Sequence, residues 1–312
     1  MIRGLPSSTR GRLGLAVGLA LAMGAGPSEA GGYLGVGAWD SRFYGSEYDR
    51  DYKSDTNRIR SLRFGWQNRD LAGLFGDVSF DEQDEVRDWA LGLVMNNYLV
   101  HVEQGRISGD IVTDNGSGKG AKIGEFDNRY LGVNVLRRTT VDGYFSIGLG
   151  YQKFAMPILF KYGTSSSGDY KYIQDDAVQF QHFGFGIYGD PIRNYLLSDT
   201  RGGRNTWYFA TNLVVGVARA VTSDAPEMAA HGVDGEEFYL YGASGSYELG
   251  WFFGARGENW GLAANVGYHV RAVTMVDYSR FADYSDPEKG EILPPEAQLI
   301  LHGPRAEIRV VF

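Results

Sequence analysis

Beyond residue 30 the chain is built of segments of about 8 to 12 residues in which apolar side chains alternate with small or polar ones. This is the period-two pattern of strands that show one face to an apolar phase. No window there approaches the roughly 18 apolar residues that a membrane-spanning helix needs, and long amphipathic helical patterns are absent. Such a chain folds as a soluble β-sandwich or as a barrel. The division of residues between the faces separates the two: one face is apolar and tipped with Tyr or Trp, while the other carries Gly, Ser, Asn and charge. A soluble barrel shows the reverse, so the pattern predicts an all-β, antiparallel up-and-down transmembrane barrel.

Strands are expected over 33–39, 58–66, 71–80, 88–95, 98–108, 128–136, 144–152, 178–188, 206–220, 236–255, 261–276 and the C-terminal segment. The count is about twelve, within a range of ten to fourteen, and the connections alternate short and long, as in barrels with short periplasmic turns and longer outer loops. A longer link is expected over 189–205, and a Tyr- and Ser-rich outer loop up to about residue 177.

Residues 1–30 read as a cleaved signal peptide: Arg3, Arg10 and Arg12 precede an apolar stretch over 13–26, and Ser28-Glu29-Ala30 is a small-x-small cleavage site. The barrel is then residues 31–312, and the expected location is the outer membrane of a Gram-negative bacterium. Composition agrees, with 44 Gly, 20 Tyr, 17 Phe and 6 Trp, since barrels use aromatics as interfacial girdles and small residues in a crowded lumen. With no Cys, disulfides, a lipid-modified N-terminal Cys and thiolate chemistry are excluded. The net charge of −8, nearer −10 without the signal, argues against nucleic acid.

The last residues carry the sharpest local pattern. Ala306, Ile308, Val310 and Phe312 share one face, and Arg305, Glu307, Arg309 and Val311 the other. This resembles the C-terminal targeting strand of bacterial outer-membrane barrels, which closes on an aromatic residue; the resemblance implies recognition by the barrel-assembly machinery. Gly303-Pro304 marks a bulge or the end of the preceding loop, because Pro cannot donate to a ladder. A second, fifteen-residue stretch over 35–49, GVGAWDSRFYGSEYD, resembles the first strand and loop of MltA-interacting scaffold barrels, and no function is carried over from it.

Several motifs are set aside on physical grounds. Gly184-Phe-Gly186-Ile-Tyr-Gly189 spells a dinucleotide fingerprint, but it lies within a strand whose Phe183, Phe185 and Ile187 face lipid. Gly116-Ser-Gly-Lys119-Gly lacks the Ser or Thr of a phosphate loop. The acidic clusters Asp49, Asp51, Asp55 and Asp81, Glu82, Asp84, Glu85 lack EF-hand spacing and read as solvated loops. Tyr alternates with charge over 44–52 and 162–172, a composition suited to carbohydrate or lipopolysaccharide.

The chemical residues are those that parity turns inward: Arg63, His101, Glu103, Asn134, Glu248, His269, Arg271, Glu307 and Arg309. The tight turn at 257–259 sets Glu248 opposite His269 and Ser246 opposite Arg271, with Ser244 one step further out. Ser244 or Ser246 with His269 and Glu248 is the raw material of an acyl hydrolase, whereas lumen charges also pair to avoid lone burial. The leading expectation is a porin-like narrow passage for small solutes or a structural barrel, with no enzyme activity. The alternatives are an outer-leaflet lipid or lipid A hydrolase and a loop-borne binding or scaffold protein. No metal or cofactor is expected; the expected partners are membrane lipid and lipopolysaccharide.

Overall fold

The computed structural model describes residues 31–47, 50–53, 57–68, 72–112, 122–139, 145–161, 170–198, 202–224, 235, 237–258, 260–277 and 297–311. The signal segment, the glycine loop at 116–120 and Phe312 lie outside them, as do Asp49 and Asp55. The described elements are β1 (Gly31–Glu47), β2 (Arg50–Lys53), β3 (Asn57–Gln67), β4 (Gly73–Phe80), β5 (Val86–Met95), β6 (Tyr98–Val112), β7 (Lys122–Arg138), β8 (Ser146–Lys161), β9 (Tyr170–Gly189), α1 (Pro191–Leu197), β10 (Arg204–Thr222), β11 (Glu237–Arg256), β12 (Gly261–Asp277) and β13 (Ala297–Val311).

All pairings are antiparallel, and β13 closes on β1, giving a barrel of twelve staves. The short β2 continues the ladder of β3 against β1, pairing Tyr44 with Lys53, and beyond the ends of β4 and β5 it meets β6 through Lys53 and Val112. Following paired residues once round from Tyr33 through Gly65, Phe75, Gly92, His101, Asn134, Gly150, Gly184, Gly216, Gly242, Met275 and Ala297 returns to β1 at Glu47. That stagger of fourteen residues over twelve strands corresponds to a strand tilt of about 40°.

The local chemistry explains the turns. Between β5 and β6 the chain reverses at Asn96-Asn97, with Asn96 in the left-handed region (φ 51°) that Asn tolerates. Between β4 and β5, Asp81 accepts bonds from the backbone N–H groups of Gln83 (3.0 Å) and Glu85 (2.8 Å), while Asp84 pairs with Arg60 at 2.6 Å. That acidic cluster is thus spent on its own turn and on the neighbouring strand.

Two expectations need correction. The loop expected up to 177 is largely strand, because β8 runs to Lys161 and β9 starts at Tyr170. Pro157, unable to donate, forces a register shift between Met156 and Ile158 and hides the continuity. Likewise Gly303-Pro304 does not end a loop: β13 passes through it paired to β12, and only the pairing to β1 skips. Gly303 is required there, since a Cβ would strike the backbone carbonyl of Asp40.

Outside, nearly every strand exposes apolar side chains, among them Val36, Leu93, Val135, Leu149, Phe185, Val215, Leu249, Val266 and Ile308. Trp207, Trp251 and Trp260 gather toward the short-turn end, Trp207 and Trp251 edge to face at 5.1 Å. A belt of this kind is stable only against hydrocarbon. No described helix is long and apolar enough to cross a membrane, so the crossing is made by strands.

Inside, the polar lumen read from parity holds for the middle only. The outward half is filled by an apolar tier of Trp39, Ile59, Ile107, Phe154, Phe180, Leu240, Met275, Leu299 and Leu301. At the short-turn end, Ile192, Tyr195 and Leu196 of α1 pack on Tyr33, Tyr208, Phe252 and Ala263. The strand residues of both tiers belong to the inward face, and they pack together there because a void would leave its apolar lining without contacts.

Candidate functional site: a charged chamber between two apolar seals

Between the tiers the inward side chains form a continuous ion-pair network. Glu307, fully buried, lies 2.5 Å from Arg309, 3.3 Å from Arg63 and 3.6 Å from Arg305. Arg63 also pairs with Asp77 at 2.6 Å. Arg305 reaches Glu248 at 3.4 Å, and Glu248 accepts from Tyr208 and pairs with His269 at 3.0 Å. His269 stacks edge-on against Trp39, centroid to centroid 4.6 Å. Across the lumen Arg271 bonds Tyr130 and pairs with Glu103 (3.2 Å) and Asp88 (3.4 Å).

The remaining expected residues sit in the same layer. Asn134 donates to Asn212 at 2.9 Å, and His101 lies between Phe75 and Tyr188. These side chains surround a cavity of about 150 Å³ whose lining includes Arg63, Asp77, His101, Glu103, Ser246, Glu248, His269, Arg271 and Arg305. Burying so many charges is tolerated because each has an opposite partner; removing one leaves the other stranded.

The helix α1 is tied to this layer. Its N-cap Asp190 accepts from the Arg193 backbone N–H (3.0 Å) and pairs with Arg309 at 2.9 Å. Burial would raise the Asp190 carboxyl, but the charges of Arg309 and Arg63 outweigh it and hold the group at about 2. Its stabilising effect is therefore complete above the usual carboxylate range and lost only as pH falls through that value. In the first turn Arg193 lies 4.1 Å over the Phe75 ring, and at the other end Arg256 donates to the Leu196 carbonyl.

The residues read as a hydrolase set are divided between two places. Glu248 faces His269 and Ser246 faces Arg271 across β11 and β12. Ser244, however, sits 2.6 Å from His182 Nδ1 on β9, both fully buried, and not beside His269. Ser244→Ala is expected to cost about 1–3 kcal/mol of stability, because it leaves a buried imidazole nitrogen unpaired; denaturant titration of the folded barrel measures it.

The expected lumen set left out Asp77, Asp88, Tyr130, His182, Tyr208 and Arg305, which the alternation turns inward, and Asp190 and Arg193. Asp77 and Arg305 shared a face with residues already counted, so the signal was present in the strand pattern. Asp190 and Arg193 belong to a link without any repeat.

A closed antiparallel barrel with an apolar outer belt, interfacial aromatics and a polar layer inside is a transmembrane β-barrel. Among solved structures the chain is similar to Neisserial surface protein A (11% identity, TM-score 0.22, covering 89% of this chain and 96% of that one). It is also similar to OmpT, an outer membrane protein of Vibrio cholerae in its trimer form (10%, TM-score 0.24, 88% and 99%), and to Pseudomonas aeruginosa OccK8, OprE (8%, TM-score 0.20, 90% and 96%). No protein-family model and no curated protein matches the sequence.

Proposed function

We propose that the protein is an occluded barrel, a membrane-embedded scaffold whose resting lumen passes no solute. One observation carries this: the charged chamber lies between two apolar seals, α1 with its aromatic bed at the short-turn end and the tier of Trp39, Phe154, Phe180 and Leu301 in the outward half. An ion crossing either would lose its hydration with no polar lining to replace it. In this reading residues 1–30 are an export signal, and β13 is what the assembly machinery recognises.

A second reading, a passage that opens when α1 withdraws, is favoured by the chamber itself, which keeps about 150 Å³ free beside paired charges. The hydrolase alternative has less support. His182 makes no bond to a carboxylate among the described residues, and Ser244 is buried in the lumen, away from the lipid face.

The test is conductance of refolded residues 31–312 in a planar bilayer at neutral pH. A folded, heat-modifiable barrel without current is the expected result. Discrete steps from the unmodified protein would overturn the occluded reading in favour of a standing passage.

A further inference from the structure

The outer face of the barrel carries a basic row that the lumen does not explain. Along five consecutive strands the first or second outward residue beyond the apolar belt is polar: Arg106 on β6 beyond Val102, Arg129 on β7 beyond Leu131, Lys153 on β8 beyond Tyr151, Gln181 on β9 beyond Phe183, and Arg219 on β10 beyond Val217. The register sets them close together: Arg106 lies opposite Arg129, Lys153 lies opposite Leu131 and so diagonal to Arg129, and Gln181 lies between Lys153 and Arg219. All are exposed, and all stand at the long-loop end.

Their charge is incompletely answered by protein. Arg106 has Asp127 at 3.4 Å and Arg219 has Glu237 at 2.7 Å, while Arg129 and Lys153 make no ion pair among the described residues. Two arginines directly opposite on one face repel. A chain of net charge −8 has therefore gathered cations side by side at the height where hydrocarbon ends. Among the described residues of these strands the opposite edge of the belt carries no such row, and Arg137, opposite Tyr98, is the outward cation there.

We propose that this row binds the phosphate groups of the outer-leaflet lipid. The inference rests on the barrel lying in the outer membrane with its long loops outward. Anionic headgroups at the belt's edge would neutralise Arg129 and Lys153 and relieve the Arg106–Arg129 repulsion, and guanidinium groups hold phosphate oxygens in paired hydrogen bonds.

The test uses refolded residues 31–312 in phosphatidylcholine vesicles containing either bis-phosphorylated lipid A or its dephosphorylated form. Lipid retained on the barrel after mild detergent extraction is measured by native mass spectrometry. The unmodified barrel is expected to retain the phosphorylated form at least about tenfold better than the dephosphorylated one, with retention falling as salt is raised. Arg129→Gln with Lys153→Gln removes that preference, and Arg137→Gln keeps it. Equal retention of the two lipids, a double variant that behaves as the unmodified protein, or a barrel that dimerises through this face without lipid would each overturn the proposal while leaving the barrel in place. A chain that fails to insert as a heat-modifiable species would instead remove the membrane reading on which the proposal stands.

Discussion

Glu307→Ala is expected to cost the folded barrel about 3–5 kcal/mol. The carboxylate has no exposed surface and contacts three guanidinium groups, on Arg63, Arg305 and Arg309. Truncation leaves a cluster of cations with Asp77, Asp190 and Glu248 as the remaining counter-charges. Each of those acids is shared already, so the cluster gains repulsion as well as losing attraction. The measurement is the urea midpoint of the heat-modifiable band in vesicles. Glu307→Ala combined with Arg309→Met should recover part of the loss, because the pair is removed together and one stranded charge disappears. A single-variant loss below about 1 kcal/mol would mean that water already screens this layer and that the network is not sealed from solvent.

The same residues show how much of the fold is legible in the sequence. Barrel class and the twelve-strand count follow from alternation, because lipid outside and side chains inside leave a period-two trace on every stave. The facing of Glu248 and His269 was legible because a tight turn fixes register. The partner of Ser244 was not: His182 comes from β9, two strands away, and contact across a lumen leaves no local spacing in the sequence. Nor was the apolar upper tier legible. Ile59, Ile107 and Leu299 obey the same alternation as polar lumen residues, and only barrel closure shows that they meet each other. The helix α1 is seven residues in a link with no repeat, and Asp190 with Pro191 gives only a generic helix start.

If the lumen is closed by two independent seals, current should appear only when both are breached. Replacing Ile192, Tyr195 and Leu196 by Gly or Ser unpacks α1 from Tyr33, Tyr208 and Phe252 and opens the short-turn mouth onto the chamber. That variant alone is expected to stay silent, since conductances in series follow the tighter element and the outward tier remains dry. Phe154→Ala with Phe180→Ala removes two rings stacked at 4.9 Å and wets that tier, yet α1 still blocks the path. The combined variant is expected to show discrete steps in the planar bilayer, with Arg271→Glu altering their ion preference because Arg271 lines the chamber between the seals. Each Phe truncation costs about 3–5 kcal/mol, so heat-modifiability is checked before current is read. Steps from either single-seal variant would show that the other seal leaks. Silence from a folded combined variant would place the block elsewhere and make the chamber a structural feature, leaving the loops and the outer face as the working parts of the protein.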